Sequence, residues 1–117
     1  MDVKMEVKRE EDYILFSVTG EIDLYNAKQL KDKVNTTTEN AKTQNLILNL
    51  LEVDYIDSTG LGILIGIKRR TSENNGKMVL VLVSERISKL FEITGLSNIF
   101  VIKSSIQEAV EELQKQG

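Results

Sequence analysis

Asp54-Tyr-Ile-Asp-Ser-Thr-Gly-Leu-Gly-Ile-Leu-Ile-Gly66 is the stretch that decides the fold. Ahead of it stands Leu46-Ile-Leu-Asn-Leu-Leu51, an almost unbroken apolar run of strand length. Behind it, the apolar run from Leu61 to Ile67 is interrupted only by Gly62 and Gly66 and ends in Lys68-Arg69-Arg70. The polar hinge Asp57-Ser58-Thr59-Gly60 therefore joins the end of a buried strand to the start of a helix. Such a hinge sets a hydroxyl at a helix N-terminus, where unpaired backbone N–H groups and the helix dipole favour negative charge. Ser58 is the first candidate functional residue.

Outward from the hinge, Leu46 to Leu51 reads as a strand buried on both faces, as in parallel sheets covered by helices. Met78-Val-Leu-Val-Leu-Val83, after the strong turn signal Asn74-Asn75-Gly76, reads the same way. Between them Leu61, Leu64, Ile65 and Lys68 recur at helical spacing. On the N-terminal side, Val3, Met5 and Val7 alternate with charged residues, and Ile14, Phe16 and Val18 share one face of Tyr13–Thr19. The short polar turn Glu10-Glu11-Asp12 joins these two strands into a hairpin, and Gly20 is expected to end the second. Asp23 is then a candidate N-cap for a first helix with Leu24, Ala27, Leu30 and Val34 on one face, ending at Thr36-Thr-Thr38. Towards the C-terminus, Ser84 caps a helix through Ile87, Leu90 and Phe91 that stops near Gly95. A short strand follows at Ile99-Phe-Val-Ile102. Ser105 and Glu108 form a capping box ahead of the stripe Ile106, Ala109, Val110 and Leu113. The order ββαβαβαβα predicts one α/β domain over residues 1–117, with a mixed sheet, about four helices and right-handed crossovers between parallel strands.

Composition removes most catalytic readings. The chain has 117 residues, enough for one core, with 41% hydrophobic and 28% charged residues. It contains no His and no Cys. A Ser-His-Asp triad, a cysteine nucleophile and an ordinary zinc site are thereby excluded. A formal net charge of -3 and an aromatic content of 5% argue against a nucleic-acid surface. No apolar run approaches the roughly 20 residues of a membrane span, and no signal-peptide pattern opens the chain. The expected location is the cytoplasm, with neither membrane nor direct nucleic-acid contact and no bound cofactor.

The hinge also fails the common catalytic motifs. A Walker loop needs Lys-Ser or Lys-Thr after a glycine, and Gly76-Lys77 is followed by Met78. The nucleophile elbow G-x-S-x-G needs a glycine where Ile56 stands. A serine at a strand-to-helix turn has a purely structural alternative as N-cap, and the local pattern leaves both readings open. Gly60 can serve a tight turn. Gly62 and Gly66, four apart, share a helix face and admit a close neighbour. Each costs a helix roughly 1 kcal/mol relative to Ala, which implies a packing or docking reason.

Asp57-Ser58-Thr59-Gly60-Leu61-Gly62, preceded by Leu46-Ile-Leu-Asn-Leu, resembles the signature of STAS-domain anti-sigma factor antagonists. The resemblance extends over almost the whole chain through Gly20-Glu-Ile-Asp23, Gly76-Lys77, Leu90-Phe91 and Thr94-Gly95-Leu96. It implies a partner-switching regulator of transcription, not an enzyme. Its unmodified form binds an anti-sigma factor that is also a serine kinase and thereby frees a sigma factor. The kinase phosphorylates the motif serine, here Ser58, which abolishes binding, and a metal-dependent phosphoserine phosphatase restores the unmodified form. ATP and Mg²⁺ belong to the kinase. The resemblance does not choose between sporulation and general stress response.

Within that reading the partner-binding residues are Asp23, Asp57, Ser58, Thr59, Gly60, Leu61 and Gly62. Thr59 has helix initiation as its alternative role, Asp23 has capping, and Asp57 either assists the phosphoacceptor or favours the helix N-terminus. Lys68, Arg69 and Arg70 read as a solvated face that complements the C-terminal dipole. The free protein is expected to be a monomer. Two other readings compete with this one: a STAS scaffold subunit of a stress-sensing or transporter-associated complex, and an enzyme using Ser58 with carboxylates, which the lack of His disfavours.

Overall fold

Two-sided apolar runs make strands that only a helix-covered sheet can bury, and that is where they lie. The computed structural model describes residues 3–115. Its elements are β1 (Lys4–Arg9), β2 (Ile14–Ile22), α1 (Ala27–Thr38), β3 (Leu46–Ile56), α2 (Ser58–Glu73), β4 (Met78–Val81), α3 (Glu85–Ile93), a 3₁₀ turn (Leu96–Asn98), β5 (Val101–Lys103) and α4 (Ile106–Gln114). The strands form one sheet in the order β1-β2-β3-β4-β5. β1 and β2 pair as the expected antiparallel hairpin, and the three remaining pairs are parallel.

Alternation sorts the two faces. Ile14, Phe16 and Val18, Leu46, Leu48 and Leu50, and Met78 and Leu80 point to one side, where they meet Leu30 and Val34 of α1, Leu64 and Ile67 of α2, and Ile87 and Phe91 of α3. Ile47, Val79 and Val81 point to the other side, which Ala109 of α4 covers with Val110 and Leu113. The three crossover helices thus share one layer, and the terminal helix alone closes the second. Phe91 and Phe100 stack at a tilt with centroids 5.6 Å apart, fixing α3 to the turn behind it.

Several boundaries differ from the sequence reading. Gly20 does not end β2: the strand continues to Ile22, and Gly20 sits inside it at φ +107° beside a register shift against β3. A side chain strains that backbone, so the glycine permits a bulge where a stop was expected. α1 starts at Ala27 with Asn26 at its N-cap, so Asp23 does not cap the helix. Leu24 is 65% exposed and leaves the inward stripe to Ala27, Leu30 and Val34. β3 runs five residues past Leu51, to Ile56, where buried Val53 and Ile56 continue it in a less regular pattern. β5 spans Val101–Lys103, since Ile99 closes the preceding 3₁₀ turn. The caps at Ser84 and Ser105 form as expected, accepting from Ile87 N and Glu108 N.

Candidate functional site

Parallel pairing carries the C-terminal ends of β2 and β3 to the same edge, with Ile22 beside Ile56. Each strand then turns into a helix of the same layer, so the β2–α1 loop and the α2 N-terminus become neighbours. Asp57 joins them. Its Oδ1 accepts from Gly60 N at 2.8 Å, capping α2, and its Oδ2 accepts from Leu24 N at 2.9 Å. Its own N–H donates to the Ile22 carbonyl at 3.2 Å.

The cap of α2 is therefore Asp57, one residue before the serine. Ser58 is the first residue of the helix, exposed, and its hydroxyl makes no hydrogen bond with any described residue. The structural alternative for Ser58, a capping hydroxyl, is thereby corrected. Both oxygens of Asp57 are already held by backbone donors, which gives the carboxylate a positioning role. Thr59 is exposed in the same first turn.

The facing loop is braced from within. Asp23 Oδ1 accepts from Tyr25 N at 2.9 Å and Asn26 N at 3.2 Å. Asn26 Oδ1 accepts in turn from Asp23 N at 2.9 Å, and its Nδ2 donates to the Glu21 carbonyl at 2.8 Å. Asn26 is only 3% exposed, a polar hub that sequence reading missed. Its signal was its position immediately before an Ala-x-x-Leu helix, where Asn is a favoured cap residue. Held this way, the loop presents Leu24 and Tyr25, 65% and 80% exposed, to solvent beside Asp57.

The glycines separate into two kinds. A Cβ on Gly60 would press into the Ile22 carbonyl oxygen and the Ile22 and Ile56 side chains, so Gly60 permits the approach of α2 to β2. Gly62 and Gly66 face open space, and a Cβ there would touch nothing. Neither is required for packing among the described residues. Leu61 is buried and contributes to the core. At the far end of α2, Arg69 is exposed, but Arg70 is only half-exposed and its Nη1 is shielded without a hydrogen-bond partner, against the expectation of a fully solvated basic face.

Beside Ser58, between α2 and α3, lies an open groove of about 640 Å³. Tyr55, Leu61, Leu90 and Ile93 supply its apolar lining, and Arg86 and Lys89 stand on its α3 wall. The edge thus combines a hydroxyl unpaired among the described residues at a helix N-terminus, a braced loop with two exposed apolar side chains, the bare helix position Gly62 and a mainly apolar groove, while Gly66 lies further along α2 beside Lys31 and Asn35 of α1. The chain holds no imidazole or thiol that could activate the hydroxyl.

Residues 4–109 match the STAS domain family. The chain is 35% identical over 111 residues to the anti-sigma-B factor antagonist of Bacillus subtilis (strain 168), covering 95% of this chain and 100% of that one. Its fold superposes on the crystal structure of an anti-sigma factor antagonist from Mycobacterium paratuberculosis with a TM-score of 0.86, at 21% identity and covering 97% and 95% of the two chains. It superposes on the Bacillus cell fate determinant SpoIIAA in the phosphorylated form with a TM-score of 0.72, at 20% identity and covering 95% and 100%.

Proposed function

The chain belongs to the STAS-domain family of anti-sigma factor antagonists, and we propose that Ser58 is the phosphoacceptor that switches its binding to a serine-kinase anti-sigma factor. The observation that carries this is the free hydroxyl. Asp57 holds the helix cap, so modification of the Ser58 hydroxyl breaks no side-chain hydrogen bond among the described residues. Unmodified, the edge formed by Asp23, Asp57, Ser58, Thr59 and Gly62, with Gly60 and Leu61 buried directly behind it, meets the kinase, and the sigma factor is released. A phosphoserine phosphatase reverses the modification. The free protein works in the cytoplasm, as a monomer and without a cofactor.

The physics of the edge supports this cycle. Phosphorylation adds roughly -1.5 to -2 charge near neutral pH. At the N-terminus of α2 that charge is favoured by about 0.3–1 kcal/mol, so the fold tolerates it. A partner surface packed against Ser58 and the neighbouring Asp57 instead meets like charge and a desolvation cost. About 1.4 kcal/mol of such opposition lowers affinity tenfold.

The test is a binding titration against the kinase-type anti-sigma factor with bound nucleotide, using wild type, Ser58→Ala and Ser58→Asp, with phosphate mapped by mass spectrometry. Wild type and Ser58→Ala are expected to bind, Ser58→Asp to bind at least tenfold more weakly, and one phosphate to appear at Ser58. Equal binding by Ser58→Asp with no phosphate on the chain overturns the reading.

A further inference from the structure

The groove between α2 and α3 is mainly apolar, yet two cations stand on one wall of a chain whose net charge is -3. Arg86 and Lys89 are exposed on α3, three residues apart and hence on one helix face. Neither takes part in an ion pair among the described residues, where the cations that do are Lys8, Lys28, Lys103 and Lys115. Ile93, 73% exposed, extends the apolar floor beyond them. Ser58 lines the same groove.

We propose that this groove seats an amphipathic segment of the anti-sigma partner, with apolar side chains on Leu90 and Ile93 and carboxylates on Arg86 and Lys89, and that a phosphate on Ser58 competes for those same cations. The proposal rests on the phosphorylation of Ser58 argued above and adds to its mechanism. Charge complementarity selects the occupant: an apolar groove with two unpaired cations on its rim matches an apolar segment flanked by Asp or Glu. The competition follows from the shared lining. A phosphoserine offers three strong acceptor oxygens, and Arg binds phosphate through paired N–H donors. Once the cations turn towards the phosphate, the partner's carboxylates lose their counterparts, so release is by substitution as well as by repulsion.

The experiment is the same titration carried out with Arg86→Gln/Lys89→Gln, each combined with Ser58 or Ser58→Asp, at low and high salt. A charge-matched control, Lys33→Gln/Lys42→Gln, alters exposed lysines outside the groove. The groove variant is expected to bind the partner at least tenfold more weakly at low salt, to lose most of its salt dependence, and to show a smaller additional loss from Ser58→Asp than the wild-type background does. The control is expected to behave as wild type. Thermal melting of each variant separates lost binding from lost folding. A groove variant that is folded, binds as wild type and keeps the same salt slope overturns the proposal. So does a weakening matched by the control, which would be an effect of net charge. Phosphate mapping at Ser58 and the wild-type loss on Ser58→Asp report separately on the switch itself, so the groove can fail while the phosphoacceptor stands.

Discussion

At Asp57 one carboxylate does two jobs, and two substitutions separate them. Asp57→Ala removes the acceptor for Gly60 N and for Leu24 N together, and is expected to lower stability by about 1–2 kcal/mol in chemical denaturation. Asp57→Asn keeps one acceptor oxygen, enough for the cap, and turns an amide towards Leu24 N. It is expected to cost less than Ala while speeding hydrogen exchange at Leu24. If the two variants are equally destabilised and Leu24 exchanges as in wild type, the clamp between the loops is not held by this side chain. The glycines offer a second contrast. Gly60→Ala drives a methyl group into Ile22 and Ile56 and should destabilise by about 1–3 kcal/mol. Gly62→Ala meets nothing and should stabilise the free protein by up to about 1 kcal/mol while weakening the partner complex, read by melting and by titration side by side. Equal stability losses in both would remove the distinction between packing and docking glycines. The sequence reading gave the tight turn to Gly60 and the close neighbour to Gly62 and Gly66, whereas the close approach within the fold falls at Gly60, because helix spacing does not show which face meets a strand. The cap was displaced by one residue for a similar reason: Asp and Ser are both good caps, and only the geometry assigns the cap to Asp57.

Among the elements, those with a single strong period were the most readable. The capped helices α3 and α4 announced themselves through their stripes and Ser signals, and β4 through its apolar run, although that strand ends at Val81 and leaves Val83, expected within it, 59% exposed. The β2–α1 loop did not, because Leu24 falls on the same helical spacing as Ala27, Leu30 and Val34. Spacing cannot tell a buried leucine from one displayed by a turn that starts three residues before the helix. The tail of β3 was hidden by its charged positions, Glu52 and Asp54, which are exposed around buried Val53. A pH effect belongs to this scale. The Glu112 carboxyl is held below its ordinary value by the hydrogen bond from Lys115, with Lys103 of β5 on the same oxygen. A lowered carboxyl pKa stabilises the fold at neutral pH, and that contribution fades as pH falls through the folded-state value. Protection of the α4 amides, measured against the intrinsic exchange rate at each pH, is expected to fall on acidification, and Glu112→Gln is expected to remove that Lys-dependent part of the response. An identical acid response in the variant would place the effect elsewhere.

For the molecule as a whole, the layers and strand order make the proposed switch a surface event. The phosphorylated protein is expected to keep its fold, with a Tm unchanged or raised by a few degrees, since the helix N-terminus favours the new charge at exposed Ser58 by about 0.3–1 kcal/mol. Amide shifts should be confined to the first turn of α2, the β2–α1 loop and the groove wall. Changes across α4, on the far side of the sheet, would instead indicate a global rearrangement. The overall α/β plan was readable from its order of runs, because each parallel step needs a helix between two buried strands. That α4 lies apart from the other helices was not readable, since its stripe resembles theirs and only the end of the sheet frees it to cross. The strand order has a consequence for synthesis. Every strand pairs with its predecessor in the chain, so the sheet can grow as residues leave the ribosome, without waiting for a distant segment. Ser58 and its clamp therefore come together while the last third of the chain is unmade. The second face, with Ile47, Val79 and Val81, stays bare until α4 arrives, making the closing residues the guard against premature association of nascent chains.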